Sequence, residues 1–183
     1  ELCHKSNIVF SDLFMGEKVD MTLPDGEVKK AAVADYSLKN LRIQPMPPIK
    51  AVEEIKAEKI YISQNGETIV DFGQVIAGKC RIKINEKKGT EIKLEHTEIT
   101  DKNGNFFSAL DLVKQTDVII CNGDSFVYEP TFTFHGFRYV RVTGITNPRK
   151  EDFTAVVLST GKENIGAFCC DDERFNRLYK NIR

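Results

Sequence analysis

The 183-residue chain has no tryptophan, three histidines, five cysteines and a formal net charge of only −1. A balanced charge excludes an electrostatic nucleic-acid binder, which would carry a basic excess or stripe. No apolar run approaches the length of a bilayer span, and the first residues, ELCHKSNIVF, lack the basic and long apolar regions of a secretory leader. No membrane partner is therefore expected. The chain does not begin with Met, so it reads as a piece excised from a longer protein. Its cysteines (Cys3, Cys80, Cys121, Cys169 and Cys170) are odd in number and form no C-x-x-C spacing. That pattern excludes a secreted disulfide framework and points to buried thiols in a reducing, cytoplasmic compartment. His4, His96 and His135 are scattered, with no cysteine at ligand spacing, so neither zinc nor any other metal or cofactor is expected.

What the chain has in quantity is β-forming residues. The stretch 126–142, FVYEPTFTFHGFRYVRV, is dominated by Thr, Val, Phe and Tyr, which suit a pleated, half-buried surface. Phe126, Tyr128, Phe132 and Phe134 share one parity and are expected to face inward. Pro130 lacks an N–H and must mark a strand start, a bulge or an edge. Gly136 leaves two pleats open. A straight pleat turns Arg138, Val140 and Val142 inward, and a bulge at Gly136 turns Phe137 and Tyr139 inward instead. Either way Arg138 lies close to an apolar face and needs a carboxylate or carbonyl partner.

Taken in order, residues 1–44 hold too few apolar side chains to close a core and read as the tail of a preceding domain or an arm. Turn signals stand at Gly16-Glu17 and at Pro24-Asp25-Gly26. Residues 45–54, which include three prolines, read as a linker. From residue 55 to residue 165 apolar alternation recurs at 59–63, 68–72, 78–84, 90–99, 115–121, 126–143 and 152–158. Asn65-Gly66, Lys88-Gly89, Asn103-Gly104 and Asn122-Gly123 punctuate these runs. Asn-Gly is the strongest short hairpin signal, because both residues tolerate positive φ. Short strands at close spacing without a helical period predict a mainly β, antiparallel sandwich. Residues 166–183 change period. Asp171, Asp172 and Glu173 supply a cap and first-turn acids, and Phe175, Leu178, Tyr179 and Ile182 form an amphipathic stripe.

Candidate chemistry is sparse. Glu95 and Glu98 could serve a glycosidase, which needs two opposed carboxyl groups. Three apart on a strand, they face opposite sides, and Glu98 shares parity with Ile92, Leu94 and His96, which makes it the expected buried acid. The architectural reading pairs Glu98 with a buried cation such as Arg138, and it is preferred to an acid catalyst beside an imidazole. DKNGN at 101–105 fails the EF-hand pattern at its sixth and twelfth positions, Phe106 and Leu112, and reads as a hairpin turn. The DFGQVIAG string at 71–78 lacks the Lys-Ser/Thr ending of a phosphate loop, and Gly73 and Gly78 fit a tight bend between strands. Sugar platforms favour exposed aromatics, and the phenylalanines are expected inside.

The strings VDFGQVIAG (70–78), GT (89–90), LEHTE (94–98), DKNG (101–104), QTD (115–117) and PTFTFHGFRYV (130–140) occur in an order that resembles the bacterial α-L-rhamnosidase family. SNIVFSD (6–12), Gly16-Glu17 and PPIK (47–50) are similar to the end of that family's preceding domain and its link. GAFCCD (166–171) with FNRL (175–178) resembles the lead-in to an (α/α)6 barrel. Lys79 and Val75 depart from the Trp and Asn that the family often carries. The resemblance implies a concanavalin-like (jelly-roll type) β-sandwich placed before a catalytic (α/α)6 partner domain, in an enzyme of carbohydrate metabolism that cleaves terminal α-L-rhamnosides with inversion. The acids responsible would lie beyond Arg183, so no catalytic, cofactor-binding or metal residue is assigned, and Glu98, Arg138, Gly136, Asp71 and Gly73 are expected to be structural. A lectin-like module that binds rhamnoside, and a small glycosidase built on Glu95 or Glu98, are the two rival readings.

Overall fold

The alternation in the sequence resolves into one curled sheet closed on a shared core. The computed structural model describes residues 6–24, 30, 32–108, 110, 112–161 and 166–182. Cys3, His4, the Asp25-Gly26 part of the predicted turn and Arg183 lie outside them. Among the described residues the strands are β1 (Ile8–Asp12), β2 (Gly16–Asp20), β3 (Lys50–Lys56), β4 (Lys59–Ile62), β5 (Thr68–Ile84), β6 (Glu91–Thr97), β7 (Thr116–Ile120), β8 (Phe126–Tyr128), β9 (His135–Thr143) and β10 (Phe153–Ser159), and one helix follows, α1 (Glu173–Ile182). The sheet runs β1-β2-β7-β6-β9-β5-β10-β3, with β4 and β8 also paired to β5. Pairing is antiparallel except between β2 and β7, which run parallel. The expected mainly β class with a C-terminal helix is what the chain adopts.

β5 organises the core. The runs 68–72 and 78–84 are not two strands joined by a tight bend, as the glycines had suggested, but one strand of 17 residues. β9 is the partner on both sides of the irregularity, with Asp71 opposite Tyr139 and Ile76 opposite Phe137, so the chain never reverses. Four residues, 72–75, are accommodated against Arg138 alone, and Gly73 takes up the excursion at φ +81°. A side chain at that φ is disfavoured for any other residue. Beyond the bulge the neighbours change: β4 flanks Thr68–Asp71, whereas β10 and β8 flank the half that ends at Ile84. Val70, Phe72, Cys80, Ile82, Leu94, Ile119, Phe137, Val140 and Phe153 meet beneath this seam.

The bulge also settles the pleat of β9. The irregularity falls at Arg138, not at Gly136, so Phe137 points inward and so do Val140 and Val142. Each of the two pleats compatible with the sequence is right for one half of the strand. Pro130 ends the ladder after β8, and residues 129–134 run outside the sheet. Phe132 and Phe134 therefore do not share the inward face of Phe126 and Tyr128: they are 68% and 40% exposed. Replacing Phe132 with Ser is expected to change the unfolding free energy, read from urea melts, by less than about 0.5 kcal/mol, the range of ordinary surface substitutions. A loss near that of a buried aromatic, about 3 kcal/mol, would place the ring inside.

The flanking segments join the sheet. The β1–β2 hairpin belongs to residues read as an arm, yet β2 pairs Lys18, Val19 and Asp20 with Val118, Ile119 and Ile120 of β7. β3 begins at Lys50, inside the stretch read as a linker, and pairs with β10. Of the Asn-Gly turns, Asn65-Gly66 closes the β4–β5 hairpin, and Asn103-Gly104 sits in the small turn closed by the Thr100–Phe106 bridge. Asn122-Gly123 and Lys88-Gly89 turn the chain between strands that do not pair with each other, because positive φ reverses direction without choosing a partner. Asp172 Oδ1 accepts the Arg174 N–H at 2.9 Å and caps α1, whose Phe175, Leu178 and Ile182 are exposed.

Candidate functional site

Three polar side chains converge inside the sheet where β6, β7 and β9 present their inner faces. His96 follows the buried Ile92 and Leu94 on β6, and Asp117 precedes the buried Ile119 on β7. His135 opens β9. None of the three side chains has any solvent exposure. His135 Nε2 lies 3.0 Å from Asp117 Oδ1, and the Glu17 backbone N–H donates to the same oxygen at 3.0 Å. His96 Nε2 lies 3.9 Å from Asp117 Oδ2, and the two imidazole centroids are 4.2 Å apart. His96 Nδ1 is 2.8 Å from the backbone carbonyl oxygen of Gln115, which fixes the hydrogen on Nδ1 and leaves the Nε2 lone pair turned to the cluster. Gln115 holds this position with φ at +45°, in the left-handed region.

The electrostatics follow from burial. Desolvation, helped by the neighbouring His135, pushes His96 down to about 4, so the imidazole is neutral near pH 7. Burial alone would raise the Asp117 carboxyl. The His135 hydrogen bond and the electrostatic pull of the two imidazoles outweigh it, and the carboxyl sits below the usual aspartate range. Burial also drives the Cys80 thiol far above its ordinary value, with Asp117 adding to the effect, so that thiol is inert. The three histidines were expected to be scattered. Two of them are brought together in the core although β9 sets Val140, not His135, opposite His96: His135 lies on the half of β9 beyond the irregularity at Arg138, where the strand pairs with Gly78 of β5.

Outside this cluster the surface carries a groove of about 670 Å³, lined on the sheet side by Glu17, Lys93, Glu95, Thr116, Val118 and Arg141. Glu95 stands opposite Arg141 across β6 and β9. Its oxygens take both arms of the guanidinium, at 2.8 and 2.7 Å, while Arg141 Nη1 donates to Glu67 at 2.6 Å. Arg141 also lies over Phe106, 4.2 Å from the ring centroid. Burial raises the Glu67 carboxyl, but the Phe106 N–H and Arg141 reverse the shift and keep it ionised. Both oxygens of Glu95 are thus occupied as acceptors by Arg141.

The expected Glu98–Arg138 pair does not form. β6 ends at Thr97, so the parity that would bury Glu98 runs out one residue early, and Glu98 is exposed. Its Oε1 lies over Gly136, 3.1 Å from where a Cβ there would stand. Arg138 instead grips Asp71 with two parallel bonds, Nε to Oδ1 at 2.8 Å and Nη2 to Oδ2 at 3.1 Å. The Gly73 N–H donates to Asp71 at 2.8 Å, so this carboxylate also ties down the bulge. DKNGN is the turn expected: Asp101 accepts from the N–H groups of Asn103 and Asn105, both at 2.8 Å.

Sequence reasoning passed over Asp117 and Glu17. Asp117 had a signal, since it shares parity with Ile119 and Cys121 along β7 and so had to face inward. Glu17 had none. Its oxygens accept from the N–H groups of Thr131 and Phe132, each at 3.1 Å, and from the Tyr128 hydroxyl at 3.3 Å, all on chain more than 100 residues away.

Comparison with known proteins places this geometry. The family model of the bacterial alpha-L-rhamnosidase concanavalin-like domain matches residues 62–159. The chain is 30% identical over 190 residues to an alpha-L-rhamnosidase of Formosa agariphila, covering 94% of this chain and 20% of that protein. It is 33% identical over 138 residues to one from Streptomyces avermitilis, covering 74% of this chain and 13% of the relative. Among solved structures, the native alpha-L-rhamnosidase of Aspergillus terreus superposes with a TM-score of 0.83 at 30% identity, over 96% of this chain and 22% of that one. The Streptomyces avermitilis enzyme complexed with L-rhamnose gives 0.82 at 29% identity, over 96% of this chain and 18% of that one. The chain spans about a fifth or less of the length of these relatives.

Proposed function

The chain belongs to the bacterial alpha-L-rhamnosidase concanavalin-like domain family, and from that premise we propose that it is an architectural β-domain of a rhamnoside-cleaving protein. Bond cleavage, with inversion at the anomeric carbon, then falls to an acid pair carried by a helical partner domain outside this chain. The observation that supports this reading is the state of the carboxylates. Inverting hydrolysis needs one protonated acid and one free base about 6.5–9.5 Å apart with room for water. Here the groove acids are committed elsewhere, Glu95 to Arg141 and Glu17 to two backbone N–H groups and a tyrosine. Of the buried acids, Asp71 gives both oxygens to Arg138, and Asp117 Oδ1 is held by His135 and the Glu17 N–H.

The exposed rings of Phe132, Phe134 and Phe175 support a role as a surface that meets other parts of the parent. The adjacent, unpaired Cys169 and Cys170 suit a reducing compartment, and we place the parent in the cytoplasm. Among the described residues no helix is long and apolar enough to cross a membrane.

The test uses an aryl α-L-rhamnoside. The 183-residue chain is expected to show no turnover. In the complete protein, Glu95→Gln and Glu98→Gln are expected to leave kcat/KM within about twofold of the parent. Turnover by the chain itself, abolished by either substitution in a folded protein, would instead make it a small glycosidase. Titration with L-rhamnose separates the lectin-like reading: saturable binding, lost when Arg141 is replaced by Met, would assign the groove to sugar recognition.

A further inference from the structure

We propose that His96, Asp117 and His135 form a buried binding site for a divalent transition-metal ion, with zinc as the ion to load. The two imidazoles and the carboxylate each offer a ligand atom, and these atoms lie within 4.8 Å of one another. Two imidazole nitrogens and a carboxylate oxygen are a donor set that zinc accepts at about 2.0–2.2 Å each. Strands β6, β7 and β9 supply one ligand apiece, so the set is held by a rigid sheet rather than by a loop.

Three observations point to a cation. The first is a pair of acceptors facing each other. His96 Nδ1 spends its hydrogen on the Gln115 carbonyl, so Nε2 has only a lone pair, and it looks across 3.9 Å at Asp117 Oδ2. Both atoms are buried and neither has a hydrogen-bond partner. Two acceptors at that spacing need something positive between them. The second is the hydrogen bond from His96 Nδ1 to a main-chain carbonyl. This is the outer contact that orients a metal-binding imidazole and fixes its tautomer, and here the strained Gln115 provides it.

The third is charge. Glu17 and Asp117 are both buried and are joined through the Glu17 N–H. All the hydrogen bonds to Glu17 come from neutral groups, and among the described residues neither carboxylate pairs with a lysine or arginine. A divalent ion held by Asp117 would supply the positive charge that, among the described residues, no lysine or arginine brings to this buried carboxylate. His135 accommodates the ion by a tautomer change. The contact with Asp117 Oδ1 suits a proton on Nε2; binding would move it to Nδ1, a buried atom with no present partner, and Nε2 would become a ligand with no proton released.

The protein expressed from its complete reading frame, purified without chelator or nickel resin, is expected to carry about one zinc per chain more than its His96→Gln/His135→Gln variant, as read by elemental analysis. Stripping the wild type and restoring Zn²⁺ alone is expected to raise the melting temperature of this domain by roughly 5–10 °C. The variant should not respond. Equal metal content in wild type and folded variant would overturn the site, as would a wild type that neither retains nor responds to zinc. Should the variant fail to fold, zinc-edge anomalous diffraction from wild-type crystals soaked in Zn²⁺ decides: a peak between the three side chains supports the site, and its absence overturns it.

Discussion

Replacing Arg138 with methionine is expected to cost about 4 kcal/mol of folding stability at pH 7, the largest effect of any single polar substitution in the sheet. Asp71 has no exposed side-chain surface, and Arg138 takes both of its oxygens. Lys59 is the other cation within reach, at 3.6 Å, but its side chain is 60% exposed and makes a weak replacement. The reverse change, Asp71→Asn, should cost less, because Arg138 is one-third exposed and water can solvate the orphaned guanidinium. The pH dependence carries the sign. Burial pushes the Asp71 carboxyl up, but the bonds from Arg138 and Gly73 outweigh burial and hold it below the ordinary range. A carboxylate depressed on folding stabilises above its unfolded pKa, and that stability disappears as pH falls through the folded value. The wild type should therefore keep this contribution down to about pH 4. In the variant burial dominates and Asp71 takes up a proton on folding. Its deficit should thus be greatest at neutral pH and should shrink between about pH 7 and pH 5. Urea melts of both proteins across that range check this. A deficit that does not vary with pH would mean that Arg138 acts through packing over Tyr139 and not through charge.

How much of this was readable follows from the reach of each signal. Alternation is local, and it located the strands because each pleat reports its own burial. It could not say which strands are neighbours, and the positions that matter here depend on neighbours. Arg138 plainly needed an anionic partner, yet the partner proposed was Glu98 rather than Asp71. Parity carries no information about where β6 ends, and a strand that stops at Thr97 releases Glu98 to solvent. The Gly73 bulge was mistaken for a reversal for the same reason: a positive φ turns the backbone, and only the shared partner β9 keeps the two halves in one strand. His96 was legible as an inward residue of β6, and Asp117 could have been read the same way on β7. Their meeting with His135 depends on β9 and β7 lying on either side of β6, an order with no trace in any window of the sequence. The Phe132 and Phe134 rings failed as core residues because Pro130 had already taken the chain off the ladder.

Glu17 carries the second large effect, and Glu17→Ala is expected to cost about 3 kcal/mol. The residue sits at the start of β2, in a segment whose composition reads as the tail of a preceding domain or an arm, but it is 1% exposed. Its carboxylate terminates three donors of the crossing between β8 and β9: the N–H groups of Thr131 and Phe132 and the hydroxyl of Tyr128. Tyr128 is the last residue of β8, but Thr131 and Phe132 have left the ladder and have no strand neighbour there, so the carboxylate takes the place of a strand edge. Gly16 makes the approach possible. A Cβ there would stand 2.0 Å from the Thr116 carbonyl oxygen, so only glycine lets the hairpin reach β7. Truncation to alanine leaves the donors unmet and opens space beneath Tyr128, and a buried donor without a partner costs about 1–3 kcal/mol. Glu17→Gln keeps the volume and one acceptor oxygen, so its loss should be about half as large. The urea midpoint should fall with an unchanged m-value, and hydrogen exchange should speed up at the Thr131 and Phe132 amides while the amides of Ile69 and Val70 in β5 follow only the global loss. A cost below about 1 kcal/mol, with those two amides still protected, would mean that the crossing is held by Thr133 and its bond to the Asp12 carbonyl, and that the hairpin is the arm its composition suggests.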